Sequence, residues 1–145
     1  MDPIRVKKLD PSAILPTYGS AEAAGADLYA CVPETVTVEP GETAWIPTGI
    51  ALEVPKGCAG LIYARSSLGA KRGLAPANKV GVIDSDYRGE IRVVLFNHSK
   101  QTQKVEPGER VAQLLITPVY TPAYEEVEDL SDTHRGEGGF GSTGK

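Results

Sequence analysis

Glycine and proline recur along most of this sequence, so few stretches are long enough to form a helix. The 145 residues include 16 glycines and 11 prolines, and both residue types interrupt helices. Between them lie short β-rich runs at 36–38, 44–46, 50–54, 61–64, 91–96 and 111–116. These runs predict an all-β chain of six or more strands, folded as a sandwich or jelly roll. One short helical turn is predicted at about 66–71.

Two Pro-Gly-Glu sequences predict tight turns. Gly41 follows Pro40 and Gly108 follows Pro107, each just before one of the β-rich runs. Proline fixes φ at the first corner of a turn, and glycine accepts the positive φ that the second corner needs. We interpret both sequences as hairpin corners.

The composition is that of a single ordinary globular domain. Hydrophobic residues make up 41% of the chain and charged residues 23%, and no apolar run approaches the roughly 18 residues of a membrane helix. Residues 1–8 carry charges throughout and contain no apolar segment of the kind found in secretory signals. We therefore expect no membrane span, and a cytoplasmic location.

Charge and cysteine usage narrow the possible ligands. The 15 basic and 19 acidic side chains give a net charge of −4, which disfavours general nucleic-acid binding. Cys31 and Cys58 are far apart, with only His98 and His134 as nitrogen partners, which argues against a zinc site or a disulfide scaffold. We expect two buried thiols, and an anionic ligand only where positive charge is concentrated locally.

The character of the chain changes near its C-terminal end. Glu125, Glu126, Glu128, Asp129 and Asp132 form an acidic stretch. The last eleven residues, RGEGGFGSTGK, contain one large apolar side chain, Phe140, and cannot form a core. We expect a folded domain over 1–134 and a flexible flap over 135–145. The flap is either a disordered end or a segment that orders on a ligand, since its backbone N–H groups can converge on phosphate oxygens. It is not a Walker A loop, because Gly141 rather than lysine precedes Ser142.

The sequence GVIDSDYRGEI, residues 81–91, places two carboxylates around a serine. Strand alternation would put Asp84 and Asp86 on one face. The segment is either a polar hairpin tip or a site in which Val82 and Ile83 anchor Asp84 rigidly beside a ligand. In the second case the carboxylate could orient and deprotonate water.

The sequence ARSSLGAKRG, residues 64–73, concentrates Arg65, Lys71 and Arg72 within an acidic chain. It also contains the hydroxyls of Ser66 and Ser67. It is either a solvated basic turn or part of an anion pocket to which other segments contribute. The sequence AGADLYA, residues 24–30, could be simply the start of a strand.

Taken in order, five segments resemble the five motifs of the homotrimeric dUTP diphosphatase (dUTPase) family. They are AGADLYA, ARSSLGAKRG, GVIDSDYRGEI, PGERVAQLLI (107–116) and RGEGGFGSTG (135–144). The resemblance covers nearly the whole chain, and five motifs in the family's order are far more specific than any one of them. It implies the distorted jelly roll of that family, with the flap closing over the active site.

The resemblance also implies roles for individual residues. Asp84 matches the catalytic aspartate, which activates the water that attacks the α-phosphorus. Tyr87 matches the tyrosine that packs against the deoxyribose and leaves no space for a 2′-hydroxyl. Asn78, with the backbone of Gly81 and Ile83, matches the uracil-reading groups, and Phe140 the ring that covers the base. The phosphate-binding positions are Arg65, Ser66, Ser67, Gln113, Arg135, Ser142 and Thr143.

The same resemblance implies the chemistry and the assembly. The family hydrolyses dUTP to dUMP and pyrophosphate with Mg²⁺, which keeps uracil out of DNA and supplies dUMP for thymidylate synthesis. The metal is held mainly by the triphosphate and water, so no direct protein ligand is expected, although Asp27 could contact a metal-bound water. Each site combines three subunits: one supplies ARSSLG and PGERVAQ, a second residues 78–87, and a third the flap.

Two other functions compete with this one. The family usually has PRSGL where this chain has ARSSL, and RSSLG is closer to the related dCTP deaminases. Those enzymes carry a proton-shuttling glutamate two residues before a Phe-Asn pair, and here that position is Val94, which cannot transfer a proton. The other alternative is a jelly-roll binding module without activity.

Overall fold

The computed structural model describes residues 2–142 and 144, which form twelve strands and one helical turn. The strands are β1 (Val6–Lys8), β2 (Thr17–Tyr18), β3 (Ala26–Tyr29), β4 (Val36–Val38), β5 (Thr43–Pro47), β6 (Ile50–Leu52), β7 (Cys58–Tyr63), β8 (Leu74–Pro76), β9 (Gly81–Ile83), β10 (Arg92–Asn97), β11 (Gln103–Val105) and β12 (Arg110–Pro118). The helix α1 is Ser66–Gly69. Each predicted β-rich run overlaps a strand, so the all-β prediction is confirmed.

The strands form a jelly-roll-like arrangement in which every pairing is antiparallel. The largest sheet has the order β2-β3-β12-β7-β9, and a second sheet has the order β5-β10-β8. Two further pairs join β1 to β6 and β11 to β4. The long strand β12 lies at the centre of the largest sheet, where Gln113 is opposite Asp27 of β3 on one side and Tyr63 of β7 on the other.

Alternation along the strands creates the core. In β10 the side chains of Val93, Leu95 and Asn97 are buried, whereas Arg92 is exposed. Apolar side chains from all four sheets join one buried cluster, which includes Leu28, Ile46, Leu52, Leu95 and Val105. Burying a side chain of this size contributes about 1.5–3 kcal/mol.

The predicted Pro-Gly turns exist, but they are not hairpin corners. Gly41 and Gly108 have φ of 78° and 74°, and in the first turn the N–H of Glu42 donates to the carbonyl of Glu39 at 3.1 Å. Such a turn with proline at its second residue and positive φ at its third is type II. However, β4 pairs with β11 while β5 pairs with β10. The turns therefore carry the chain from one sheet to another.

The interpretation of residues 81–91 as a polar hairpin tip is wrong for the same reason. Strand β8 pairs with β10 in the smaller sheet, and β9 pairs with β7 in the larger one. Since β9 ends at Ile83, the strand alternation assumed for Asp84 and Asp86 does not extend to them. The segment is a crossover between the two sheets.

The prediction of two buried thiols is also wrong. Cys31 and Cys58 are both free and only half-buried. The Sγ atom of Cys31 lies 3.4 Å from Oγ of Ser12, near the protein surface. In the part of the chain that is described, no helix is long and apolar enough to cross a membrane.

Candidate active site

The site begins where three neighbouring strands bring polar side chains to one place. Asp27 lies on β3 and Gln113 on the adjacent β12. Arg65 follows β7, the strand on the other side of β12, and caps α1 with an extended backbone at φ −84° and ψ 142°. The buried side chain of Leu68 anchors α1, which fixes the position of Arg65 relative to the sheet.

Two arginines converge on the carboxylate of Asp27. Nε of Arg65 donates to its Oδ1 at 2.7 Å, and Nη1 of Arg110 lies 3.4 Å from its Oδ2. The side chains of Asp27 and Arg65 are 12% and 19% exposed, whereas that of Arg110 is 51% exposed. With one negative and two positive groups, the cluster has a local charge of +1 in a chain whose net charge is −4.

Gln113 is held beside this cluster by two neighbours. Its Nε2 donates to the carbonyl of Ala64 at 2.8 Å, which ties β12 to the residue before Arg65. On its other side, a Cβ atom at Gly25 would lie 2.5 Å from Oε1 of Gln113, far inside van der Waals contact. A side chain at position 25 would therefore force the amide of Gln113 to move.

These residues line a cavity of about 230 Å³. We call it the β3-β12 cavity, and its lining is Gly19, Ala23, Gly25, Asp27, Arg65, Ser66, Arg110 and Gln113. Guanidinium groups, a hydroxyl and an amide are the groups that bind phosphate oxygens. The cavity can therefore hold a small anion.

Ser67 contacts Arg65 itself. Nη1 of Arg65 donates to Oγ of Ser67 at 3.1 Å. Ser67 lies within α1, and among the described residues other than glycine only Lys79 and Phe140 have positive φ. Serine at this position, where the resemblance leads us to expect glycine, is thus compatible with the local backbone.

A second group of predicted residues lies along the crossover between the two sheets. Gly81 and Ile83 are buried in β9, while Asn78 and Asp84 on either side of it are exposed. A Cβ atom at Gly81 would lie 3.6 Å from Nδ2 of Asn78, so the amide is next to this strand. The backbone at Asp84 is held by a turn, in which the N–H of Tyr87 donates to its carbonyl at 3.2 Å.

The ring of Tyr87 lies over Gly89 and is partly exposed. Its hydroxyl donates to the carbonyl of Glu90 at 2.9 Å, and a Cβ atom at Gly89 would clash with that hydroxyl. Tyr87 is 46% exposed, so part of the residue is accessible to a ligand.

The C-terminal segment forms its own compact turns. Nε of Arg135 donates to the carbonyl of Gly138 at 2.6 Å, and the N–H of Ser142 donates to the carbonyl of Gly139 at 2.9 Å. The ring of Phe140 is fully exposed. Thr143, also predicted to bind phosphate, lies outside the described residues.

The structure thus brings together some of the predicted residues and not others. Asp27, Arg65, Ser66 and Gln113 share the β3-β12 cavity, whose lining includes no residue of 78–87 or 135–142. Sequence reasoning missed Arg110 as a member of the site. Its position in PGERVAQLLI, three residues before Gln113, was a signal, but the partner that draws it into the cavity lies 83 residues away.

Two observations concern the metal and the deaminase alternative. Among residues 2–142 and 144, no three His, Cys, Asp or Glu side chains are grouped so that they could hold a metal ion. Val94, at the position of the deaminase glutamate, lies in the middle of β10 opposite Trp45. It is not part of the lining of the β3-β12 cavity.

Comparison with known proteins points to one family. The dUTPase family model matches residues 11–144. Deoxyuridine 5'-triphosphate nucleotidohydrolase of Syntrophotalea carbinolica is 48% identical over 141 residues, which is 97% of this chain and 96% of that protein. The Staphylococcus bacteriophage 80alpha dUTPase with dUPNHPP has a TM-score of 0.90 at 32% identity, covering 100% of both chains. A mutant dUTPase from phage phi11 of S. aureus, described with a structural Mg(II) ion, has a TM-score of 0.79 at 27% identity, covering 88% of this chain and 98% of that one.

Proposed function

The chain belongs to the dUTPase family, and we propose that it is a dUTP diphosphatase, which hydrolyses dUTP to dUMP and pyrophosphate. The observation that carries the proposal is the cationic β3-β12 cavity. Three of the five motifs build it, and its groups suit the phosphate chain of a nucleotide. A relative named deoxyuridine 5'-triphosphate nucleotidohydrolase matches 97% of the chain.

Asp84 is the proposed catalytic residue. Its carboxylate is exposed directly after the buried Ile83, and the turn from Asp84 to Tyr87 fixes its backbone. A rigid, ionised carboxylate can accept a proton from a water molecule and direct that water in line at the α-phosphorus. The bond from the α-phosphorus to the bridging oxygen then breaks, and pyrophosphate leaves.

The proposed base and sugar sites lie on both sides of Asp84. Asn78 and the backbone of Gly81 and Ile83 would hydrogen-bond the uracil edge. The same groups would not match the amino group of cytosine. The strand would also exclude the methyl group of thymine by contact. The ring of Tyr87 would pack against the deoxyribose and leave no space for a 2′-hydroxyl. Phe140 of the flap would cover the base.

The proposed phosphate site combines the β3-β12 cavity with the flap. Arg65, Ser66 and Gln113 would contact the phosphate chain, and Arg135, Ser142 and Thr143 would bind its terminal groups. Mg²⁺ bound to the triphosphate would neutralise charge that repels the incoming water. Asp27 already accepts hydrogen bonds from two arginines, and a carboxylate has about four acceptor sites. It could therefore also accept one from a metal-bound water.

A homotrimer with shared sites is part of the proposal. Residues 78–87 and the flap are outside the lining of the β3-β12 cavity of their own chain, so a complete site would need other subunits. Sedimentation should then give one species of three times 15.4 kDa. We expect the enzyme to act in the cytoplasm. There it would limit the incorporation of uracil into DNA and supply dUMP for thymidylate synthesis.

The test is to incubate the protein with Mg²⁺ and, separately, dUTP, dCTP, dTTP and UTP. Release of pyrophosphate and of ammonia is measured for each. The proposal expects pyrophosphate from dUTP alone. Ammonia from dCTP would instead identify a deaminase, and the absence of both products would leave a binding module.

A further inference from the structure

We infer that Ser67 is a positioning residue, whose hydroxyl holds the Arg65 guanidinium in the orientation that binds phosphate. The inference rests on the proposed function and deepens it. Nη1 of Arg65 donates to Oγ of Ser67 at 3.1 Å, while Nε donates to Oδ1 of Asp27 at 2.7 Å. The planar guanidinium is therefore held at two of its three nitrogens, one by β3 and one by α1.

The third nitrogen, Nη2, is left to bind a ligand. Among the described residues, Nη2 of Arg65 has no hydrogen-bond acceptor, and Arg65 lines the β3-β12 cavity together with Ser66 and Gln113. A guanidinium has five N–H donors in a fixed plane, so fixing two nitrogens also fixes the direction of the third. The bond between Nε and the central carbon has partial double-bond character, so a single hydrogen bond to Asp27 would leave the whole guanidinium plane able to swing about the single bonds of the side chain.

The hydrogen bond between Arg65 and Ser67 is largely shielded from water. Arg65 is 19% exposed and Ser67 is half-buried, so water competes weakly for both groups. The family's usual glycine at this position has no hydroxyl, and Ser67 adopts a backbone that does not need glycine. The serine thus adds a contact to Arg65 without requiring a change of fold.

The experiment compares Ser67→Ala, which removes the hydroxyl, with Ser67→Thr, which keeps it. The first readout is the rotation of the Arg65 side chain in the full-length protein without nucleotide, measured by NMR on ¹⁵N-labelled arginine. Rotation of the guanidinium should be slow in the wild type and in Ser67→Thr, and faster in Ser67→Ala. Equal rotation in all three proteins would overturn the inference, whether or not the protein hydrolyses dUTP.

The second readout is steady-state hydrolysis of dUTP. Losing a hydrogen bond to a charged group in a site that binds substrate and transition state alike should raise KM about 3- to 10-fold and leave kcat within about twofold. Inhibition by deoxyuridine, which has no phosphate, should stay unchanged. A parallel weakening of deoxyuridine, or an unchanged KM, would overturn the inference. If the wild type fails to hydrolyse dUTP, the proposed function fails while the NMR comparison still decides the role of Ser67.

Ser12→Ala is the matched control. The hydroxyl of Ser12 also bonds a charged group, Oδ1 of Asp10, at 2.7 Å. It lies outside the β3-β12 cavity. Its removal should leave the rotation of Arg65 and the KM unchanged, and an effect equal to that of Ser67→Ala would contradict the inference.

Discussion

Replacing Gly25 by alanine should destabilise the protein, because the added Cβ meets Gln113. It would lie 2.5 Å from Oε1 and 3.1 Å from Cβ of Gln113, and 3.1 Å from Cδ1 of Leu115. Ordinary contacts are 3.4–4 Å, so Gln113 must move by about 1 Å. Its hydrogen bond to the carbonyl of Ala64, now 2.8 Å, would then be stretched or lost.

The expected cost combines two effects. Forcing side chains to shift around an added methyl group costs about 1–3 kcal/mol, and a lost hydrogen bond costs about 0.5–1.5 kcal/mol. We therefore expect Gly25→Ala to lower the free energy of unfolding by about 2–4 kcal/mol. Since 1 kcal/mol shifts Tm by about 2–4 °C in a domain of this size, Tm should fall by roughly 4–16 °C.

Urea and thermal unfolding measure this cost, with Gly19→Ala as the matched control. A Cβ at Gly19 meets nothing within 4 Å, so that variant should unfold like the wild type. In a Gln113→Ala background the cost of Gly25→Ala should fall by about 1 kcal/mol or more, because neighbouring changes are not additive. A cost equal to that of Gly19→Ala, or one unaltered by Gln113→Ala, would refute the reasoning.

Three further predictions test other parts of the structure. Arg72→Ala should lower the free energy of unfolding in urea by about 1–3 kcal/mol, because it leaves the half-buried Glu109 without its ion pair. The control is Arg5→Ala: the side chain of Arg5 is 81% exposed, so its removal should cost at most about 1 kcal/mol. Equal costs would contradict a stabilising role for the ion pair of Arg72 and Glu109. Tyr87→Ala should raise the hydrolysis of UTP relative to dUTP, whereas Tyr87→Phe keeps the ring and should keep the discrimination; a UTP-to-dUTP ratio in Tyr87→Ala equal to that of the wild type would remove the proposed sugar contact. Deleting 135–145 should slow dUTP hydrolysis and leave the proposed trimer intact in sedimentation, because the segment has too few apolar side chains to support assembly. A truncated protein that sediments as a monomer, when the full chain sediments as a trimer, would contradict that.

Local features of the fold could be predicted from the sequence because they depend on neighbouring residues. Alternation placed the strands, and the glycines at 41 and 108 marked turns that do have positive φ. Pairing could not be predicted in the same way. Strand β4 pairs with β11, which is far along the chain, and no local signal indicates which strand will be its neighbour. The same lack of a local signal explains why the turns were interpreted as hairpin corners.

In the site, too, residues within local motifs could be predicted from the sequence, whereas contacts between distant segments could not. Arg65, Ser66 and Gln113 were identified through motifs, and they share one cavity. The contact between Arg110 and Asp27 spans 83 residues and arises because β3 and β12 are adjacent in the sheet. The close contact at position 25 likewise depends on the side chain that the neighbouring strand places against it.

The central claim is that the carboxylate of Asp84 activates the attacking water, and Asp84→Asn tests it most directly. The amide has nearly the shape of the carboxylate but cannot accept the proton, so kcat for dUTP should fall by about 10²- to 10⁴-fold. Affinity for a non-hydrolysable dUTP analogue, measured by calorimetry, should stay within about threefold of the wild type. A variant that binds the analogue and hydrolyses dUTP at a nearly normal rate would contradict the account.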